Sequence, residues 1–217
     1  LPGTTVVFLG PSLDRAAAEK ILAADYRPPV KRGDILRAVA DGAGTIAIID
    51  GVFFQDCAVG HREILSALQK GITVVGSSSM GALRAAELDT HGMVGIGEIY
   101  RKYKTAELES DDEVALIYDP ESFIPLSEPL VNVRNNLRLA EEKGLISRAT
   151  GECVIRETQK IYFPGRIYRK ICSAAKESGE APDEEIDRFL AFVESAGEDL
   201  KRRDAILALE YIRDIIN

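Results

Sequence analysis

Three short runs of apolar, mostly β-branched residues punctuate the first third of the chain. They are Thr4-Thr5-Val6-Val7-Phe8-Leu9, Thr45-Ile46-Ala47-Ile48-Ile49-Asp50 and Ile72-Thr73-Val74-Val75. Such short, nearly unbroken apolar runs predict strands buried on both faces. Between them the pattern turns helical. Leu13 to Ala24 has helical composition after a Gly10-Pro11-Ser12 turn, and Gly33-Asp34 opens a short helix through Val39, with Asp34 placed to cap it. Ala58 to Lys70 puts Ile64, Leu65 and Leu68 on one face and is closed by Gly71. Pro28-Pro29 excludes helix and forces an extended passage. Strands alternating with helices predict an α/β fold with a mostly parallel sheet.

A glycine-punctuated passage follows, Gly92-Met93-Val94-Gly95-Ile96-Gly97, then a short helix around Glu98 to Tyr103. Glu113 to Tyr118 has the composition of a further strand. From Pro129 the alternation stops. Leu130 to Lys143, Ser147 to Tyr162, Gly165 to Lys176, Asp183 to Ser195 and Glu198 to Ile216 all read as helices. The expected organisation is an α/β core over residues 1–127 and an all-helical extension over 128–217, packed on or beside it.

Composition narrows the function. The chain has 217 residues, 46% apolar and 29% charged, with a formal net charge of −8. That profile is globular and argues against a nucleic-acid or anionic-membrane surface. Cys57, Cys153 and Cys172 are odd in number and lack Cys-x-x-Cys spacing, so neither a disulfide framework nor a zinc knuckle is expected, and buried thiols in a reducing cytoplasm are. No signal peptide or long apolar span is evident, and the Leu1-Pro2 start implies processing or trimming ahead of it.

Candidate chemistry concentrates at Gly76-Ser77-Ser78-Ser79-Met80-Gly81, where the third apolar run feeds an Ala- and Leu-rich helix. This order can hold a serine hydroxyl at the rim of a parallel sheet, beside the free N–H groups that open a helix. The Gly-x-Ser-x-Gly elbow is not matched literally, because Ser79 is followed by Met-Gly, and no Gly-Lys-Ser/Thr follows as a phosphate loop requires. A serine nucleophile needs a base. His61 and His91 are the two histidines; Lys31, in Pro28-Pro29-Val30-Lys31-Arg32-Gly33-Asp34, is the other candidate. Asp50 ends a strand at the edge where open α/β sheets bind ligands. The run Asp111-Asp112-Glu113 is suited to a metal, a basic partner or a helix cap. Asn132, Arg134, Asn135 and Asn136 suggest recognition of backbone or a partner.

Taken together, several motifs resemble the TfuA family, which accompanies YcaO enzymes in peptide-backbone thioamidation. They are Phe8-Leu9-Gly10-Pro11-Ser12-Leu13, the Pro28–Asp34 loop, Ile49-Asp50-Gly51-Val52-Phe53, His61-Arg62-Glu63-Ile64-Leu65, Ser78-Ser79-Met80-Gly81-Ala82-Leu83-Arg84-Ala85, Asp111-Asp112-Glu113-Val114-Ala115 and Pro129-Leu130-Val131-Asn132-Val133-Arg134. They cover roughly residues 4–136. The resemblance implies hydrolysis of a thiocarboxylated ThiS-type sulfur-carrier protein to release sulfide, with no cofactor or metal, the YcaO partner supplying ATP chemistry. It implies a serine–lysine pair: Ser79 as nucleophile, with Ser78 and Ser12 as alternates, and Lys31 as base. Arg32, Asp50, Met80, Gly81 and Arg84 would line the substrate site, the N–H groups of Met80 and Gly81 attracting the thioacid, and the slim tail would thread the Gly92–Gly97 rim. Where the family has Trp-His-Lys-Glu, this chain has Gly60-His61-Arg62-Glu63. The thioamidated glycine of methyl-coenzyme M reductase is the favoured target, a ribosomal peptide the other. A non-catalytic adaptor between YcaO, substrate and carrier is the competing function, and a nucleotide-phosphate binder a third.

Overall fold

The computed structural model describes residues 3–53 and 57–216; the Leu1-Pro2 start lies outside them. Five strands, β1 (Thr4–Phe8), β2 (Asp25–Arg27), β3 (Ala43–Ile48), β4 (Thr73–Ser77) and β5 (Val94–Ile96), pair in parallel in the order β2-β1-β3-β4-β5. The expected α/β class is therefore observed. The three apolar runs form the central strands, each paired to a neighbour on both sides. The edge strands β2 and β5 have three residues each and little apolar signal of their own. The Gly92–Gly97 passage thus contains a strand that its glycines conceal. Glu113–Tyr118 is no strand: a 3-10 turn covers Asp111–Glu113, and Tyr118 makes only an isolated bridge to Pro125.

Alternation along the central strands sorts side chains onto two faces. Val6, Phe8, Ile46, Ile48 and Val74 pack with α2 (Asp34–Ala40), α3 (His61–Gln69) and α4 (Met80–Leu88). Val7, Ala47, Ile49 and Val75 pack with α1 (Arg15–Ile21) and with α10 (Leu200–Ile216), the last helix of the chain. Asp34 is the first residue of α2 rather than its cap; Gly33, in the left-handed region, holds the cap position, and the Asp34 carboxylate accepts Lys31 N–H at 2.8 Å.

The remaining helices are α5 (Glu98–Lys104), α6 (Leu130–Glu142), α7 (Arg148–Lys160), α8 (Tyr168–Ser178) and α9 (Asp183–Ala196). Contacts group the chain into two compact units, one running to Asp111 and resuming at Lys201, the other spanning Asp112–Leu200. The composition change near residue 128 does not mark this division, because the sheet recruits α10 from the far end of the helical region. The second unit has its own core, with Val133, Leu137, Val154, Ile171, Ile186 and Phe189 fully or nearly fully buried. Among the described residues no helix is long and apolar enough to cross a membrane.

Candidate active site at the carboxyl edge of the sheet

The strand order reverses between β1 and β3: from β1 the chain first builds toward β2, then crosses to β3 on the other side. Loops leaving such neighbouring strands diverge and open a crevice at their carboxyl ends. Here the loop after β1 carries Ser12, the residue two past β3 is Asp50, and β4 ends at Ser77.

These loops meet in one hydrogen-bonded chain. Ser78 Oγ donates to Ser12 Oγ at 2.8 Å, and Ser12 Oγ donates to Asp50 Oδ1 at 2.7 Å. Asp50 Oδ2 accepts the backbone N–H groups of Gly10 at 2.9 Å and Ser12 at 3.1 Å. All members are buried: Ser78 is 0% exposed, and Ser12 and Asp50 are each 2%. Asp50 thus accepts three hydrogen bonds, two from backbone and one from the Ser12 hydroxyl.

Ser78 has φ +65°, in the left-handed region that a non-glycine residue seldom occupies. It follows the last residue of β4, and Ser79 is the N-cap of α4 without a side-chain capping bond. A strained residue at a strand-to-helix turn is the geometry of a nucleophile elbow. The turn is tight because two glycines touch. A Cβ on Gly76 would lie 2.2 Å from the Gly81 carbonyl oxygen, and one on Gly81 would lie 1.6 Å from the Ile48 carbonyl oxygen. Gly81 therefore serves packing in place of the missing literal elbow glycine.

The other residues singled out in the sequence are placed as follows. Gly81 N–H is directed to the Ile49 carbonyl at 3.4 Å, whereas Met80 N–H has no backbone acceptor among the described residues. Lys31 is exposed, and among the described residues no hydrogen bond joins its ammonium to the serines. Its neighbour Val30 bridges Gly51, so the Pro28–Asp34 loop does run beside the Asp50 turn. Arg84 donates to the Val59 carbonyl at 3.2 Å and to Glu87 at 2.7 Å, and His61 Nε2 lies 2.7 Å from the same Glu87 oxygen. Arg32, His61, Met80 and Arg84 line a cavity of about 520 Å³ that adjoins the serine turn at Met80. His91 is exposed in a 3-10 turn, its Nδ1 lying 3.2 Å from Thr90 Oγ1. The glycine rim is filled by the protein itself, Gly95 under the Tyr100 ring and Gly97 against Asp204.

Two other clusters have internal tasks. Glu113 holds Arg134 through both carboxylate oxygens, with contacts of 2.9–3.2 Å, and Asp112 pairs with the buried Arg166 at 2.6 Å. Asn132 accepts Leu200 N–H at 3.0 Å, and Asn136 both accepts from and donates to the Glu198 backbone. The backbone these asparagines recognise is that leading into α10. Among the described residues no group of three or more metal-ligating side chains is found. Cys57 is exposed, contrary to the expectation of three buried thiols, while burial pushes the Cys172 thiol up to about 12.

Comparison with known families matches the profile described as TfuA-like protein over residues 50–167, more than half of the chain. The chain belongs to the TfuA-like family. No curated protein matches it. The TfuA-like match begins at Asp50 and includes the serine turn, and it continues through α6 and α7, helices whose sequence carries no motif that was read beyond residue 136. Ser12 and Lys31 lie ahead of the match. Sequence reading also missed Asp204, whose carbonyl accepts Ser77 Oγ at 2.9 Å. A lone aspartate 127 residues away, within an amphipathic helix, gives no local signal of that contact.

Proposed function

We propose that this TfuA-like chain is a thiocarboxylate hydrolase that releases sulfide from a ThiS-type carrier protein for a YcaO partner in peptide thioamidation. The observation that supports the reading most is the Ser78–Ser12–Asp50 chain at the carboxyl edge of the sheet. It offers a serine on a strained turn and an acceptor for its proton, the two requirements of an activated nucleophile. Of the serines at the turn, we assign attack to Ser78 rather than Ser79 because Ser78 Oγ donates into this chain, with Ser12 between it and Asp50, and Asp50 takes the role that the resemblance gives to Lys31. Lys31 and Arg32 then serve as cations at the approach of an anionic tail.

Ser78 Oγ bonds to the thiocarboxyl carbon as its proton passes to Ser12 and the Ser12 proton passes to Asp50. The N–H of Met80, without a backbone acceptor among the described residues, is the donor at the start of α4 for the oxyanion. The adduct collapses with cleavage of the carbon–sulfur bond, and the relay returns a proton to sulfur, which leaves as hydrosulfide. Water then opens the acyl–Ser78 ester and frees a carboxylate tail. The favoured thioamide acceptor is a glycine of methyl-coenzyme M reductase.

Sulfide release from thiocarboxylated carrier tests this. Ser78→Ala is expected to lower it by about 10³-fold or more, and Asp50→Asn by about 10²–10⁴-fold. Ser79→Ala is expected to stay within about tenfold of wild type, which is too small a loss for a nucleophile. One observation favours a second reading: the hydroxyls of Ser78 and Ser12 are both buried, as in a structural lock. An adaptor of that kind supports full thioamidation with Ser78→Ala, and that result would replace the hydrolase.

A further inference from the structure

The C-terminal helix reaches the serine turn through Asp204. Asp204 is 0% exposed. Its carbonyl accepts Ser77 Oγ at 2.9 Å, one residue before Ser78. Its carboxyl oxygen Oδ2 accepts Ile99 N–H at 2.7 Å, at the start of α5. Gly97, at φ +100°, packs so closely that a Cβ there would lie 2.4 Å from the Asp204 carboxyl carbon. The second carboxyl oxygen, Oδ1, is buried with no partner among the described residues.

We propose that Asp204 is a positioning residue for the serine turn, tying α10 to the end of β4 through its carbonyl and to the β5–α5 turn through its carboxyl. The sheet's β4 and β5 are bonded to each other, yet both of their exits are fixed on this one residue of α10. The glycine at 97 is needed to admit the carboxyl, so the two sequences fit only together. The bearing on catalysis rests on the hydrolase reading; the positioning does not.

An orphaned, buried oxygen makes the carboxylate form costly. Burial accordingly pushes the Asp204 carboxyl above its ordinary range, against the opposing pull of the Ile99 and Glu98 N–H groups and of Arg203. The charged groups that act on it are Arg203 on its own helix and Glu98 on α5, which also pair with each other. In a locally opened state the carboxyl meets water and ionises more readily. Opening therefore becomes easier as pH rises above the ordinary carboxyl value of about 3.9, by up to about tenfold per pH unit, until the folded-state value is passed.

The test uses the full chain, with Asp204→Asn as the shape-conserving variant and Ser77→Ala to break the carbonyl contact alone. Hydrogen-exchange protection of the Ile99 amide is followed against pH, together with the rate at which a fluorophosphonate probe labels Ser78. The expected result is protection that declines with pH in wild type but not in Asp204→Asn, and a ratio of labelling rates, wild type over Asp204→Asn, that falls over the same window. Ser77→Ala should slow labelling by about tenfold or more. Parallel protection curves for wild type and Asp204→Asn overturn the proposal. If the probe labels no serine at all, the nucleophile assignment fails, while amide protection still decides the role of Asp204.

Discussion

Ser78 holds an uncommon backbone conformation, and holding it there costs about 1–3 kcal/mol relative to a relaxed residue. Glycine adopts the same φ freely. Ser78→Gly is thus expected to lose sulfide release like Ser78→Ala while unfolding at a higher temperature than Ser78→Ala, measured by calorimetry. Equal melting temperatures for the two variants would mean that the turn is not strained. Asp50 carries the opposite balance. Asp50→Ala leaves two backbone N–H groups and the Ser12 hydroxyl without their acceptor in a buried site, a loss of about 3 kcal/mol or more by urea unfolding. At this scale the sequence named the participants but not their pairing. Ser12, Asp50 and Ser78 were all candidates, yet Ser12 and Ser78 are 66 positions apart, and only the parallel order of β1, β3 and β4 brings them together. Lys31 is the base that the family-like Pro28–Asp34 motif implies, whereas Asp50 reads as a ligand-binding residue at the strand edge, and only the hydrogen bond from Ser12 marks it as a proton acceptor.

Among the elements, legibility followed burial. The central strands β1, β3 and β4 declared themselves because both faces need apolar side chains, which leaves continuous runs. Edge strands β2 and β5 did not, since three residues with one bonded neighbour demand little of the sequence. Glu113–Tyr118 erred the other way: its apolar residues fill gaps beside a 3-10 turn without joining a ladder. The helix α4 owes its position to the Gly76–Gly81 contact. Gly81→Ala drives a methyl into the Ile48 carbonyl, and the expected outcome is a loss of about 3 kcal/mol or more, or failure to fold, seen in thermal melts. Wild-type stability in that variant would show that α4 can shift outward freely.

For the molecule as a whole, helical composition after residue 128 suggested one extension, but the last helix belongs to the sheet. Ala205, Ala208, Leu209 and Ile212 cover the face that Val7, Ala47, Ile49 and Val75 present. A chain ending before Leu200 is expected to expose that face, bind a hydrophobic dye and lose its cooperative melt, which a dye titration and calorimetry would reveal. Retention of a sharp transition would mean α10 is dispensable to the core. Composition could not anticipate this, because an amphipathic helix shows that it has a partner without showing which one. The family match covers the serine turn but neither Ser12 nor α10, so the proposed site is completed by parts of the chain on both sides of it.

The central claim is that Ser78 attacks the thioacid. Its most direct measurement is mass spectrometry of the intact chain, rapidly quenched after mixing with thiocarboxylated carrier, with the adduct mapped by peptide. The account predicts an acyl ester on Ser78 that forms as sulfide is released, is absent from Ser78→Ala and persists in Ser79→Ala. An adduct on Ser79 or Ser12, or sulfide release at the wild-type rate from Ser78→Ala, would contradict it.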